Sequence, residues 1–199
     1  MGQGALFVIS APSGAGKSTL IERVRPLFPD MLYSVSCTTR SPRNREVHGI
    51  HYYFEDRKTF EQMVKADELL EWKEVHGNLY GTPLAPVLHA LREGRRMILD
   101  IDVQGAQDVF CKIPEAVGIF ITVPDLSVLE HRLRKRGTES EESIGTRLVN
   151  APGEIIVGRT FQHVIVNDDL NRAVEALASI IRKESELRGL PGPIPGTCR

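Results

Sequence analysis

Residues that could bind phosphate stand near the start of the chain, in a Gly-rich turn that follows an apolar run and ends in Gly-Lys-Ser. The backbone N–H groups of such a turn and the positive end of the next helix converge on an anion. Lys17 can reach phosphate oxygens, and the Ser18 hydroxyl can bind Mg²⁺. We therefore expect a nucleoside triphosphate here, rather than an ordinary strand–helix turn. The residues expected to bind it are Ser13, Gly14, Ala15, Gly16, Lys17, Ser18 and Thr19.

A second polar segment, at residues 34–43, combines hydroxyl side chains with Arg40 and Arg43. Arginine guanidinium groups bind phosphate oxygens through two parallel hydrogen bonds, so this segment could hold a second phosphate group. The alternative is a polar surface turn with solvated arginines.

Two aspartates follow the apolar run at residues 97–99. Asp100 is placed like the acidic residue that orients Mg²⁺ in many phosphate-loop enzymes. Asp102 lies two residues further on and is expected on the same side of the strand. The alternative for both is a helix-capping carboxylate.

These residues need a scaffold, and the apolar pattern predicts one. Strands are expected at residues 6–9, 33–37, 97–101, 117–123 and 163–166, with helices at 17–27, 103–111, 126–136 and 170–187. Together with the Gly-rich loop, this alternation predicts an α/β fold: a P-loop NTPase-type parallel sheet with helices on both faces. Ligands are then expected at the carboxyl ends of the strands.

The alternation is interrupted twice. Residues 41–94 are expected to form a small mixed α/β subdomain, with a helix that begins near Thr82 as cap and Pro83 in its first turn. The polar residues 137–147 are interpreted as a mobile lid without a strong apolar face. The core domain then comprises residues 1–40, 95–136 and 148–188. The Pro- and Gly-rich residues 189–199 are expected to be a flexible tail whose removal changes little.

The bulk composition narrows the class of protein. The formal net charge is −1, which gives no overall basic field for nucleic acid or a membrane surface. The three cysteines form no Cys-x-x-Cys pair and favour a reducing compartment. No signal peptide or spanning apolar run is visible, so we expect a cytoplasmic protein with small-molecule partners, as a monomer or homodimer.

Further motifs make the sequence resemble a known family over about residues 6–187. They are Ser-x-Ser-x-Thr-Thr-Arg-x-Pro-Arg from Ser34, Glu46-x-x-Gly49-x-x-Tyr52, Glu71-Trp72 before Gly77-Asn78-Leu79-Tyr80-Gly81, Asp100-Ile101-Asp102-x-Gln104-Gly105, Arg132-x-x-x-Arg136-Gly137-Thr138 to Arg147, and Asn167-Asp168. The chain resembles the guanylate kinases, which phosphorylate GMP to GDP with ATP and Mg²⁺. Two departures from the family pattern are Ala11, for glycine, and Gln162-His163, near the expected adenine side.

The resemblance implies a role for each matching residue. Arg40, Arg43, Tyr52 and Tyr80 would hold the GMP phosphate, and Ser18 and Asp100 would hold Mg²⁺. Guanine offers an N1–H and a 2-amino group as donors and O6 as acceptor. The resemblance assigns the donors to Glu71, helped by Asp102, and O6 to Ser36 and Thr82. Arg132, Arg136 and Arg147 would be catalytic lid arginines that, with Lys17, neutralise the transferred phosphoryl group, and Asn167 would lie near adenine.

Three functions are compared. The first is an active guanylate kinase. The second is a guanylate-kinase-like protein-binding module, which typically loses the phosphate-loop and lid residues that this chain keeps. The third, another nucleoside monophosphate kinase or a nucleotide hydrolase, conflicts with the guanine-binding residues that the resemblance assigns.

Overall fold

The structure is a computed structural model of the chain. It describes residues 4–75, 77–137 and 140–190, without the side chain of Arg136. In chain order the elements are β1 (Ala5–Ser10), α1 (Lys17–Val24), a 3-10 turn (Arg25–Leu27), β2 (Leu32–Tyr33), β3 (Cys37–Thr38), β4 (Tyr53–Phe54), α2 (Arg57–Lys65), β5 (Leu69–Val75), β6 (Asn78–Pro83), α3 (Leu84–Arg92), β7 (Arg96–Asp100), α4 (Val103–Lys112), β8 (Val117–Thr122), α5 (Leu126–Arg136), α6 (Glu141–Gly158), β9 (His163–Val166) and α7 (Leu170–Leu187).

The main sheet has five parallel strands in the order β2-β7-β1-β8-β9. β1 is buried along its whole length, as its continuous apolar sequence predicts. Alternate residues of the strands, such as Phe7 and Val8, enter separate apolar clusters on the two faces of the sheet. Helices α1 and α7 cover one face, while α3 and α4 cover the other. The predicted α/β class and parallel sheet are confirmed.

A second sheet of four strands, in the order β4-β3-β6-β5, forms from the segment that interrupts the alternation. β3 pairs in parallel with β4 and antiparallel with β6, which also pairs antiparallel with β5. Phe60 of α2 packs on this sheet with Leu69 and Leu79. The single strand predicted at residues 33–37 is wrong, because β2 belongs to the main sheet and β3 to the small one.

The boundary between the subdomain and the core also differs from the expected residues 41–94. The small sheet begins before residue 41, and the buried Val87 and Ala90 of α3 belong to the core beside the main sheet. Thr82 does not cap this helix, because it lies within β6 and its hydroxyl binds another side chain. Pro83 is the N-cap residue of α3.

The lid was expected to lack an apolar face, and this is wrong. Ser140 caps α6, an 18-residue helix that spans most of the expected lid and continues into the core. Ile144 and Ala151 are buried along it, and its last residue, Gly158, lies against the ring of Phe120. Thr138 and Glu139 lie outside the described residues.

The first two residues of the expected tail, Gly189 and Leu190, belong to the described structure. Leu190 is buried in the main core, and its N–H donates to the carbonyl of Ser185. Residues 191–199 of the expected tail lie outside the described residues. Within the described part of the chain, no helix combines the length and apolar character that a membrane span requires.

Candidate active site

The Gly-rich loop, residues 11–16, joins the carboxyl end of β1 to α1. Gly14 and Gly16 have φ values of 90° and 92°, which glycine adopts without strain. A Cβ atom on Gly16 would lie 2.5 Å from Nδ2 of Asn167, so a side chain has no room there. An anion can therefore approach the backbone N–H groups of the loop and the positive end of α1 closely.

The side chains of Asn167 and Arg132 both donate hydrogen bonds to the backbone of this loop. Asn167 Nδ2 donates to the carbonyl of Ala15 at 2.7 Å, and Arg132 donates to the same carbonyl at 3.3 Å and to the Asn167 carbonyl at 3.0 Å. Both side chains therefore position the loop directly. They also border a cleft of about 480 Å³, here called the loop cleft, lined by Gly14, Gly16, Thr19, Arg132, Lys135, Asn167, Asp168, Asp169 and Leu170.

Lys17 extends from the start of α1 to the end of β7. Its Nζ lies 2.7 Å from Oδ1 of Asp100 and donates to the carbonyl of Ile101 at 3.0 Å. The other carboxylate oxygen of Asp100 accepts from the Tyr33 hydroxyl at 3.2 Å. Burial, and then the nearby Asp100 charge, raise the pKa of Tyr33. Ser18 and Thr19 are exposed at the start of α1.

Asp102 was expected on the same strand as Asp100, but it lies beyond the end of that strand. It is the N-cap residue of α4, and its Oδ1 accepts from the N–H of Gly105 at 2.7 Å. The helix-capping alternative is therefore correct for Asp102. β7 ends at Asp100, so only Ile101 separates the strand from the cap residue of α4.

A second cleft, of about 200 Å³, opens between the small sheet and the ends of the main strands. We call it the carboxylate cleft; it is lined by Ser36, Tyr52, Glu71, Lys73, Val75, Tyr80, Gly81, Asp100, Ile101 and Asp102. The structure thus brings together predicted residues that are distant in sequence.

Glu71 is 6% exposed in the wall of the carboxylate cleft. Its Oε1 accepts from the Thr82 hydroxyl at 2.6 Å. Burial raises the pKa of Glu71 to about 7, since the Thr82 hydrogen bond offsets only part of the desolvation and nearby Asp102 adds to it. On α4, a Cβ at Gly105 would lie 2.7 Å from Glu71 Oε2, so glycine at this position leaves space for the carboxyl group.

Tyr52 and Tyr80 also line the carboxylate cleft, and the Arg40 side chain lies beside them. The rings of Tyr52 and Tyr80 are 6.2 Å apart, and the Arg40 guanidinium lies 5.5 Å from the Tyr52 ring centroid. Both terminal guanidinium nitrogens of Arg40 donate to the Glu46 carboxylate, at 2.9 and 3.0 Å. The Glu46 carboxylate also accepts from the Arg43 N–H at 2.6 Å, whereas the Arg43 side chain is exposed.

Glu46 is a residue whose role the sequence reasoning missed. Its hydrogen bond from Arg40, followed by the one from the Arg43 backbone, lowers its pKa to about 2. Glu46 therefore stays ionised and fixes the orientation of Arg40. The signal was present, because Glu46 belongs to a quoted motif, but no role was assigned to it.

The lid arginines differ in what they contact. Arg147, on α6, donates to the hydroxyl of Ser13 in the Gly-rich loop, whereas Arg132 contacts main-chain carbonyls. Arg136 is the last residue of α5, and its side chain lies outside the described part of the chain. His163, in β9, lies with its Nε2 3.0 Å from Glu184 on α7.

Comparisons with known proteins agree on one family. A family model described as guanylate kinase matches residues 3–184. The chain is 48% identical to the guanylate kinase of Carboxydothermus hydrogenoformans over 92% of this chain and 90% of that protein. It is also 48% identical to the guanylate kinase of Rhizobium etli, over 92% and 83%. The crystal structure of guanylate kinase from Anaplasma phagocytophilum superposes with a TM-score of 0.73 at 32% identity, covering 93% of this chain and 88% of that chain.

Proposed function

The chain belongs to the guanylate kinase family, and on that premise we propose that it transfers the terminal phosphoryl group of ATP to GMP, giving ADP and GDP. One observation carries the proposal beyond family membership. Asp100 lines the carboxylate cleft and is also paired with Lys17, which follows the Gly-rich loop. A nucleoside monophosphate with its base in that cleft and a triphosphate bound on the loop would therefore place their phosphates near the same Lys17–Asp100 pair.

Glu71 is proposed to bind the Watson–Crick edge of guanine. As an anion it accepts from N1–H and the 2-amino group, and adenine lacks that pair of donors. Because Glu71 is buried, a base that left it unpaired would bind far more weakly.

Ser36 is the proposed hydrogen-bond donor to O6. A hydroxyl has one hydrogen to donate, and that of Thr82 already goes to Glu71. Thr82 therefore supports the carboxylate, while Ser36 lines the cleft with Asp102. Asp102 is proposed to assist Glu71 from the α4 side.

The acceptor phosphate is proposed to lie between Arg40 and Tyr80. Glu46 holds Arg40 in place beside the Tyr52 ring, so little side-chain freedom is lost when a phosphate arrives. Arg43 is exposed and can turn toward the same phosphate.

Lys17 and Arg147 are proposed to neutralise the transferred phosphoryl group. Phosphoryl transfer requires positioning and charge stabilisation more than covalent chemistry from the protein. Arg147 is held at Ser13, at the loop, and Arg136 is proposed to act from the end of α5. Arg132 and Asn167 are proposed to act by fixing the loop conformation on the adenine side.

The chain also fits Mg²⁺ bound with the nucleotide. Among the described residues there is no group of three or more His, Cys, Asp or Glu that could hold a metal alone. Mg²⁺ needs no such group, because it commonly takes one or two protein ligands and completes its shell with phosphates and water. Ser18 and Asp100 are the proposed ligands. The ion would neutralise phosphate charge and orient the β- and γ-phosphates.

The test is an ADP-release assay with ATP and Mg²⁺ in which GMP, AMP, CMP and UMP are offered separately. Turnover with GMP alone is expected. Turnover with another monophosphate would overturn the base assignment, and ADP release without an acceptor would indicate a hydrolase. GMP binding without turnover would favour the non-catalytic binding module. Residence in the cytoplasm, absence of nucleic-acid partners, and a monomeric or homodimeric state stay predictions.

A further inference from the structure

β5 of the small sheet, which carries Glu71, packs against α4 of the core, and this interface is here called the seam. Two lysines cross this seam. Lys112 of α4 donates to the carbonyl of Leu69 at 3.1 Å, and Lys73 of β5 lies with its Nζ 2.9 Å from Oδ2 of Asp108 on α4. Glu71 lies in β5 between Leu69 and Lys73. The polar contacts of the seam therefore flank the buried carboxylate.

Lys73 also reaches the cleft itself. Residues two apart on a strand point to the same face, and Glu71 and Lys73 both line the cleft. The charged groups around Glu71 come from both sides of the seam: Lys73 from β5, and Asp102 and Asp108 from α4. Thr82 and Tyr80 face it from β6. Glu71 therefore has a cation on its own strand and two carboxylates opposite.

We propose that Lys73 and Asp108 are a pair of opposed positioning residues that set how readily Glu71 carries its negative charge, and thereby how tightly the cleft binds guanine. Lys73 favours the anion by attraction, and Asp108 disfavours it by repulsion. The proposal deepens the function proposed above and rests on it, because it assumes that GMP binds through ionised Glu71.

The directions in which Lys73 and Asp108 affect GMP binding distinguish an electrostatic role from a purely structural one. Lys73→Met and Asp108→Asn break the same ion pair, so loss of a structural tie would weaken GMP binding in both variants. The charge effects on Glu71 are opposite, in line with the direction in which each residue shifts its pKa. Lys73→Met removes the cation that favours ionised Glu71 and leaves the two carboxylates that disfavour it. Asp108→Asn removes one of those two carboxylates and keeps the cation.

The experiment measures the dissociation constant of GMP by calorimetry between pH 5.5 and 8.5, in the absence of ATP. The wild type is expected to bind more tightly as the pH rises through about 7, where Glu71 ionises. Lys73→Met should move this midpoint upward and Asp108→Asn downward, each by about half to one pH unit, because both charges are partly exposed. At pH 6, Lys73→Met should therefore weaken GMP binding about three- to tenfold, and Asp108→Asn should tighten it.

Two further variants exclude other causes. Lys112→Met removes the other hydrogen bond across the seam and should move the midpoint much less, since Lys112 is not among the charges that act most strongly on Glu71. In a Glu71→Gln background, neither Lys73→Met nor Asp108→Asn should shift a midpoint, because the titrating group is gone. The titration of the GMP phosphate is common to all variants and cancels in the comparison.

Each outcome decides one question. Opposed shifts that vanish in the Glu71→Gln background support the proposal. Shifts in the same direction, or none, overturn it and leave Lys73 and Asp108 as a structural tie. Failure of the wild type to bind GMP overturns the proposed function itself, a result that is distinct from unshifted midpoints in a protein that binds GMP.

Discussion

The Thr82 hydroxyl donates to the Glu71 carboxyl group at 2.6 Å, and the two residues are direct neighbours across β5 and β6. This single hydrogen bond does not replace the water that a carboxylate loses on burial, so the pKa of Glu71 rises to about 7. Folding therefore favours the protonated form of Glu71 relative to the unfolded chain. A ligand that donates two hydrogen bonds to Glu71 replaces hydrogen bonds from water that the carboxylate lost on burial.

We expect Glu71→Gln to weaken GMP binding while stabilising the free protein above pH 7. The native pKa lies above the unfolded value, so wild-type stability falls as the pH rises from about 4.5 through 7. Glutamine keeps an acceptor for Thr82 without the buried charge. At pH 8 the free energy of unfolding should rise by on the order of 1–3 kcal/mol.

Urea unfolding of both proteins at pH 5 and pH 8 measures this effect. Near pH 5 the two should be similar, because Glu71 is protonated there in the native state. Equal stabilities at pH 8 would show that Glu71 is not strained by its burial. An unchanged GMP affinity would show that guanine is bound elsewhere.

Lys17→Ala should abolish turnover and leave GMP binding nearly intact. Lys17 contacts Asp100 and the Ile101 carbonyl, whereas guanine binding is proposed for Glu71 and Ser36, which neither contact involves. Loss of one preorganised charge at the transferred group costs about 10²–10³-fold in kcat or more. Steady-state kinetics with GMP calorimetry tests this, with Lys17→Arg as the charge-conserving control. A rate within threefold of wild type would remove Lys17 from catalysis.

The main sheet could be predicted because buried parallel strands have continuous apolar sequences that need no partner to be recognised. β1 and β7 to β9 differ from the predicted ranges by at most one residue at either end. The two-residue strands β2 and β3 are too short to carry such a signal. Their assignment to different sheets depends on pairing with β7 and β6, which the local sequence does not encode.

α6 shows a different kind of failure. Its stripe of apolar residues has helical spacing, at Ile144, Leu148, Ala151 and Ile155, and could have been found. Pro152 and Gly153 interrupt the stripe, and both predict the end of a helix. The fold overrides them, because buried contacts are made on both sides of the interruption.

The motifs include many of the residues that line the two clefts, but they do not predict the contacts among them. Glu46 and Asp108 are surface carboxylates by sequence alone, and the roles proposed for them depend on partners that only the fold brings close. Thr82 was predicted to bind GMP, but its hydrogen-bond partner Glu71 lies directly opposite it on the adjacent strand. Pairings of this kind depend on register and not on composition.

Deletion of residues 189–199 is expected to destabilise the protein, contrary to the expectation from composition. Leu190 is buried in the main core, and its N–H binds the Ser185 carbonyl. Loss of a buried leucine contact costs about 1.5–3 kcal/mol. Deletion of residues 191–199 alone is the matched control and should change the melting temperature little. Equal melting temperatures for the two truncations would mean that Leu190 contributes nothing.

Pro152→Ala should stabilise the protein, because proline inside a helix removes one hydrogen bond and clashes with the carbonyl four residues earlier, here that of Leu148. Pro152 is exposed, so alanine loses little packing. A gain of about 1–3 kcal/mol in the free energy of unfolding is expected from denaturant titration. Pro114, exposed in the turn between α4 and β8, provides the matched control. There, Pro114→Ala should reduce stability by about 0.4–1 kcal/mol, because the unfolded chain gains freedom. If both substitutions lower stability, α6 has already adapted to its proline, and the helix interior carries no strain that alanine can relieve.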